Sequence, residues 1–153
     1  MSGERFTLDT NILVYSVDTL AGARHAMAAE IVERAVGRDC RLTLQAVSEF
    51  YVVASRKGMV PASEAAAQAN DWLILFPCIP ASASAIRAAL AAAASGRASY
   101  WDALLVATAA EGGCRTVLTE DLKDGGELAG VGVHNPFAAE GRLSDMARKL
   151  LGA

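Results

Sequence analysis

Three carboxylates stand where a charge has no ordinary reason to be. Asp9 follows Phe6-Thr7-Leu8 and precedes Thr10-Asn11-Ile12-Leu13-Val14. Glu49 sits within Ala46-Val47-Ser48-Glu49-Phe50-Tyr51-Val52-Val53. Asp102 sits within Tyr100-Trp101-Asp102-Ala103-Leu104-Leu105-Val106. A helix apolar on all sides is expected to be buried. A buried carboxylate is costly unless a cation, a shifted pKa or a metal compensates it. No lysine or arginine is an immediate neighbour of any of the three. Asp121 is a fourth candidate, and Glu120 or Asp124 could replace or join it. An all-oxygen cluster of this kind suits Mg²⁺ or Mn²⁺. A metal held by carboxylates can activate water and stabilise a phosphodiester transition state.

Each acid also has a plainer explanation. Asp102 is the third residue after Ser99, as in a capping box. Asp9-Thr10-Asn11 could form an Asx turn that caps the next helix. Asp121 lies in Thr-Glu-Asp at a strand-to-loop junction, which is an ordinary place for an acid. Glu49 has the weakest such explanation, because it lies among Val and Phe with no obvious local partner. Other chemistries lack support. The chain has two histidines, too few to favour a histidine-based zinc site or triad. His25 reads as a surface helix residue and His134 as a strand end. Ser48 and Ser99 lack a G-x-S-x-G context. No glycine-rich nucleotide-binding loop is present.

The elements that must position these acids alternate along the chain. A strand is expected over Phe6–Asp9, followed by a helical stretch from Ile12. A helix is expected over Ala23–Val36, ended by Gly37. A second strand, Arg41–Leu44, leads into a helix over Ala46–Lys57 that Gly58 stops. Pro61 precedes a helix over Ala62–Leu73. Leu75–Ile79, interrupted by Pro77, reads as an edge strand. Helices follow over Ala83–Ala94 and Ser99–Ala110. Then come a strand at Thr116–Thr119, a loop over Glu120–Gly130 with turn glycines Gly125 and Gly126, a strand at Gly132–His134 and a helix at Leu143–Leu151. Strands alternating with helices imply a parallel sheet covered on both faces. Functional groups gather at the carboxyl ends of such strands, which is where Asp9, Glu49 and Asp121 fall.

Length and composition fit one domain. The 153 residues are 53% hydrophobic and 20% charged, which excludes an intrinsically disordered chain. The net charge of -3 argues against a globally basic nucleic-acid binder but leaves room for local cations. Arg56-Lys57, about two helical turns beyond Glu49, and Arg97, just before the helix of Asp102, are the candidates for phosphate contact. Arg24 and Arg38 read as solvated charges. Three unpatterned cysteines suggest a reduced protein. No signal peptide and no membrane span are expected, so the expected location is the cytoplasm.

These motifs together resemble those of PIN-domain ribonucleases. Leu8-Asp9-Thr10-Asn11-Ile12-Leu13-Val14-Tyr15 resembles their opening motif, Ser48-Glu49-Phe50 their second and Tyr100–Ala107 their third. Leu118-Thr119-Glu120-Asp121-Leu122, with Asp124-Gly125, Gly130-Val131 and Asn135-Pro136-Phe137, resembles the C-terminal part of VapC-type toxins. The resemblance implies a single PIN-like domain over residues 1–153, an α/β/α sandwich around a mostly parallel sheet. It implies a Mg²⁺- or Mn²⁺-dependent endoribonuclease with Asp9, Glu49, Asp102 and Asp121 as catalytic and metal-binding acids, supported by Asn11 and Thr119. It further implies an RNA substrate such as transfer RNA, a cognate antitoxin that presents basic and apolar residues to the acidic groove, and a homodimer. The competing expectation is a catalytically weak PIN-like module that works through dimerisation or partner capture. A phosphatase of the haloacid-dehalogenase type fits less well, because Asn11 stands where those enzymes typically carry a second aspartate.

Overall fold

The computed structural model describes residues 4–56, 58–122 and 127–153. Lys57, Asp124, Gly125 and Gly126 lie outside the described residues. Two short strands form the middle of the sheet: β1 (Phe6–Leu8) and β4 (Thr116–Leu118). Every residue of both is buried, so neither shows the alternation of a half-exposed strand. That is the signature of a parallel strand covered on both faces. They pair in parallel, Phe6 with Thr116 and Leu8 with Leu118. β6 (Val131–His134) lies parallel to β4 on its far side.

On the other side, β2 (Leu42–Thr43) pairs in parallel with β3 (Cys78–Ile79). A parallel bridge between Phe6 and Cys40 links this pair to β1. The Phe6 N–H donates to the Asp39 carbonyl at 3.1 Å, and the Arg41 N–H donates to the Phe6 carbonyl at 3.0 Å. The resulting strand order is β3-β2-β1-β4-β6-β5, where β5 is Glu127–Leu128.

Helices cover both faces. α1 (Thr10–Tyr15), α2 (Ala23–Ala35), α3 (Leu44–Arg56), α4 (Ala62–Leu75) and α7 (Asp145–Leu151) build the larger core with Phe6, Leu8 and Leu118. α5 (Ala83–Ala94) and α6 (Tyr100–Glu111) pack on each other through Ala85, Ala89, Ala103 and Leu104. α6 also meets the opposite sheet face, where Leu105, Val106 and Ala109 join Val117 and Val131. Val117 and Leu118 thus face different cores, as consecutive strand residues must. This is the expected α/β/α arrangement. Among the described residues no helix is long and apolar enough to cross a membrane.

Several boundaries depart from the sequence reading. α4 runs to Leu75, two residues further than expected, and stops where Phe76 turns extended. A residue before proline is driven out of the helical region, so Pro77 sets that end. β3 is correspondingly shorter than Leu75–Ile79, though it is an edge strand. The expected loop over 120–130 contains β5, which pairs antiparallel with β6, Leu128 opposite Val131. Ala129 (φ 53°) and Gly130 (φ 78°) form the two-residue turn between them. Both have positive φ, as in a type I′ hairpin. An alanine in the place that Asn or Asp usually takes hides the turn from a sequence reading.

Phe50 of α3 is fully buried and meets Trp72 of α4 edge-on, with ring centroids 4.5 Å apart. Phe50→Ala should therefore cost about 3–5 kcal/mol of stability through the cavity it leaves. Urea unfolding of the two proteins side by side checks this; a loss below about 1 kcal/mol would mean that α3 and α4 collapse to refill the space.

Candidate functional site

The site begins where β1 ends. Asp9 is the residue between β1 and α1, with extended backbone, and it serves as the N-cap of α1. Its Oδ1 accepts from the Thr10 N–H at 2.7 Å, and its Oδ2 accepts from the Thr119 hydroxyl at 2.6 Å. Thr119 is the residue after β4, fully buried, and its own N–H donates to the His134 carbonyl of β6. Parallel pairing of β1 with β4 is what sets these two chain ends side by side. The Thr119 hydroxyl also accepts from the Asp121 N–H at 3.1 Å. Asn11 Nδ2 donates to the Asp121 carboxylate. Asn11 and Thr119 thus each contact one of the candidate acids, Asn11 reaching Asp121 and Thr119 reaching Asp9.

Asp102 enters from the other helical layer. It lies in the first turn of α6, half-buried, and its N–H donates to the Ser99 hydroxyl at 3.2 Å. The capping reading is therefore correct for the backbone, and the carboxylate remains available. Glu49, on α3, is half-buried and accepts from Gln45 Nε2 at 2.7 Å. The same Nε2 reaches the Trp101 carbonyl at 3.3 Å, so Gln45 links Glu49 to the turn that carries Asp102. Gln45 was not expected from the sequence. Its position four residues before Glu49, on one helix face, is the signal that could have found it. Among the described residues the buried Gln45 Oε1 meets no hydrogen-bond donor.

Electrostatics single out Asp9. Burial pushes its carboxyl up to about 6, the Thr119 and Thr10 hydrogen bonds resist that, and the charges of Asp121 and Asp102 add to it. Asp121 is also raised, by partial burial first and then by Asp102 and Glu120. Three of the four acids therefore feel one another. Among the described residues none of Asp9, Glu49, Asp102 and Asp121 forms an ion pair. A divalent cation fits this donor set by charge and by oxygen chemistry. Among the described residues no three His, Cys, Asp or Glu side chains already stand at ligand distance.

Glu120 is engaged elsewhere. It accepts from the Tyr15 hydroxyl at 2.6 Å and from Arg24 Nε at 2.8 Å. Arg24 lies 4.7 Å over the Phe137 ring, which Tyr15 meets edge-on. Arg24 is thus a paired cation, not the solvated charge its sequence context suggested. This cluster joins α1, α2 and the segment after β4, and it occupies both oxygens of the Glu120 carboxylate. His25 Nδ1 lies 2.9 Å from the Tyr15 carbonyl. Of the cations expected near phosphate, Arg56 is exposed and borders a depression of about 230 Å³ shared with Glu49 and Ser48. Arg97 is exposed, donates to Ser95 Oγ at 2.9 Å and borders an alanine-lined cavity between α5 and α6.

Comparison with known proteins bears on the fold. The PIN domain family model matches residues 6–123. No curated protein sequence matches the chain. The DNA-bound VapBC complex of Salmonella typhimurium has 14% identity, covers 87% of this chain and 98% of its own, and superposes with a TM-score of 0.62. The VapC20 toxin of Mycobacterium tuberculosis, which cleaves the sarcin–ricin loop, has 18% identity, 76% and 91% coverage and a TM-score of 0.59. A toxin–antitoxin complex from Klebsiella pneumoniae has 23% identity, 82% and 93% coverage and a TM-score of 0.58. At these identities the likeness is one of fold.

The raised Asp9 has a measurable consequence. Folded Asp9 holds its proton up to about pH 6, whereas the ordinary value is 3.8. The native state therefore binds more protons than the unfolded state in that window, and stability falls as pH rises through it. The gap corresponds to on the order of 3 kcal/mol. In chelator, wild type should lose stability relative to Asp9→Asn between about pH 4 and pH 6, and the difference should be constant below. A difference that stays flat across the window would show that Asp9 is not held in the environment described.

Proposed function

The chain belongs to the PIN domain family, and from that premise we propose that it is a Mg²⁺- or Mn²⁺-dependent endoribonuclease, the toxin of a toxin–antitoxin pair. The observation that carries this reading is Asp9, a nearly buried carboxylate with two hydrogen bonds, two acidic neighbours and, among the described residues, no ion-pair partner. A protein that needed only a helix cap there would have no use for Asp102 and Asp121 beside it. Asp9, Glu49, Asp102 and Asp121 would hold the metal, which when bound supplies the positive charge that a phosphodiester transition state needs and an acidified water.

The chain's own residues do the rest. Thr119 and Thr10 fix the direction of the Asp9 carboxylate. Asn11 holds Asp121, and Gln45 holds Glu49 toward the first turn of α6. Arg56, Lys57 and Arg97 would meet phosphates flanking the cut. Glu120 is occupied by Tyr15 and Arg24, which favours Asp121 as the fourth acid. A structured RNA, transfer RNA among them, is the substrate class, and cleavage of the sarcin–ricin loop by the tuberculosis VapC20 supports a folded target. A cognate antitoxin fits the apolar groove beside Glu49, where Leu44, Tyr51, Val52 and Leu73 are exposed. The protein would act in the cytoplasm, as a homodimer.

A second reading, a catalytically weak module for partner capture, draws on the absence of a ready-made three-ligand set among the described residues. Cleavage of a structured-RNA pool with Mn²⁺, with Mg²⁺ and with chelator separates the two readings. Cleavage should require metal and fall at least about 100-fold in Asp102→Asn. Undiminished cleavage by that variant would refute the reading. Absence of cleavage together with metal-independent partner binding would establish the second.

A further inference from the structure

Trp101 is 60% exposed and stands one residue before Asp102. An open tryptophan forgoes a large apolar burial, since such a ring hides roughly 150–250 Å² when packed. This one is open but held. The Tyr100 ring meets it edge-on, with centroids 5.0 Å apart at 72°. Its own carbonyl accepts from Gln45, so α3 fixes the turn that carries the ring. Trp72, the other tryptophan, is packed in the larger core and only 3% exposed.

The protein's charge makes such a platform useful. The chain carries a net charge of -3, and Asp102 directly follows Trp101 in the chain. Coulomb attraction to phosphate, which carries most nonspecific nucleic-acid binding, is weak here. Stacking of a base on an aromatic face does not depend on charge and contributes roughly 1–3 kcal/mol per base. It needs a base that is free of its own stack, which duplex RNA withholds and loops or bulges supply.

We propose that Trp101 is a nucleobase-stacking platform that selects RNA with an unpaired nucleotide next to the phosphodiester presented to Asp102. The proposal rests on the ribonuclease reading and deepens it: the recognised element is one unpaired base, with exposed Arg97, four residues before Trp101 in the chain, suited to a neighbouring phosphate. Trp101 touches substrate and leaves the acids untouched. Its loss should therefore weaken binding without slowing the chemical step.

The test uses a hairpin RNA cut in its loop and the same RNA made abasic beside the cut. Trp101→Ala should raise KM about 5- to 150-fold, the equivalent of the stacking energy above, with kcat nearly unchanged, and Trp101→Phe should recover most of the loss. The abasic RNA should penalise wild type by a similar factor and Trp101→Ala by nothing further. An unchanged KM in Trp101→Ala, or an abasic penalty that persists in it, overturns the proposal. So does an unchanged KM together with a changed sedimentation coefficient, which would assign the ring to a protein contact. If wild type cuts no RNA, the ribonuclease reading fails instead. Fluorescence then decides the platform: a single-stranded oligonucleotide should quench wild type but not Trp101→Ala, and unquenched wild type overturns it.

Discussion

Nearly everything at the site depends on keeping the Asp9 carboxylate out of water with no cation paired to it among the described residues. A carboxylate in that position is costly, and two short hydrogen bonds, from Thr10 and Thr119, are its local compensation. The Thr10 donor is Asp9's own neighbour at the start of α1, but the Thr119 donor is in place only because β1 and β4 run parallel and in register. A shift of one residue between them would exchange Val117 and Leu118 between cores and would carry the Thr119 hydroxyl away from Asp9. The same register that packs the two cores therefore aims the carboxylate. The buried strands are short, and their pairing leaves the chain ends after β1 and β4 adjacent, where α1 and the 119–122 segment begin.

The acids come from both helical layers. Asp9 and Glu49 belong to elements of the larger core, and Asp102 belongs to α6 on the opposite face. Gln45 spans the gap between them, with one amide nitrogen serving Glu49 and the Trp101 carbonyl. On the far side of Asp9, the Tyr15–Glu120–Arg24 cluster ties the segment after β4 to α1 and α2. The candidate site is thus framed by two polar links, each joining elements that are distant in the chain.

Much of this was legible in the sequence because its causes are local. The apolar settings of Asp9, Glu49 and Asp102, the Ser99 cap and the alternation of elements can all be read from neighbours within one or two turns. What was hidden depends on residues far away in the chain. Arg24 looks like a solvated charge until Glu120 and Phe137 arrive beside it. Glu120 and Asp121 are adjacent and chemically alike, and only the tertiary partners Tyr15, Arg24 and Asn11 give them different roles. The β5 hairpin escaped notice for a different reason: Ala129 adopts a backbone conformation that its residue type disfavours. Gln45 escaped because a polar residue on a helix usually faces water.

The bond between Thr119 and Asp9 also spans 110 residues of chain. During synthesis, β1 emerges before β4 and must wait for it before its central pairing exists. Contacts of such separation close a long loop and form late. A partly made chain therefore holds Asp9 without its hydroxyl donor and without Asp121, and the acidic cluster is absent from it. Assembly of the site is postponed until the segment after β4 has been made, so that a growing polypeptide on the ribosome that ends before it carries no finished centre. Truncated products released before that point lack it permanently.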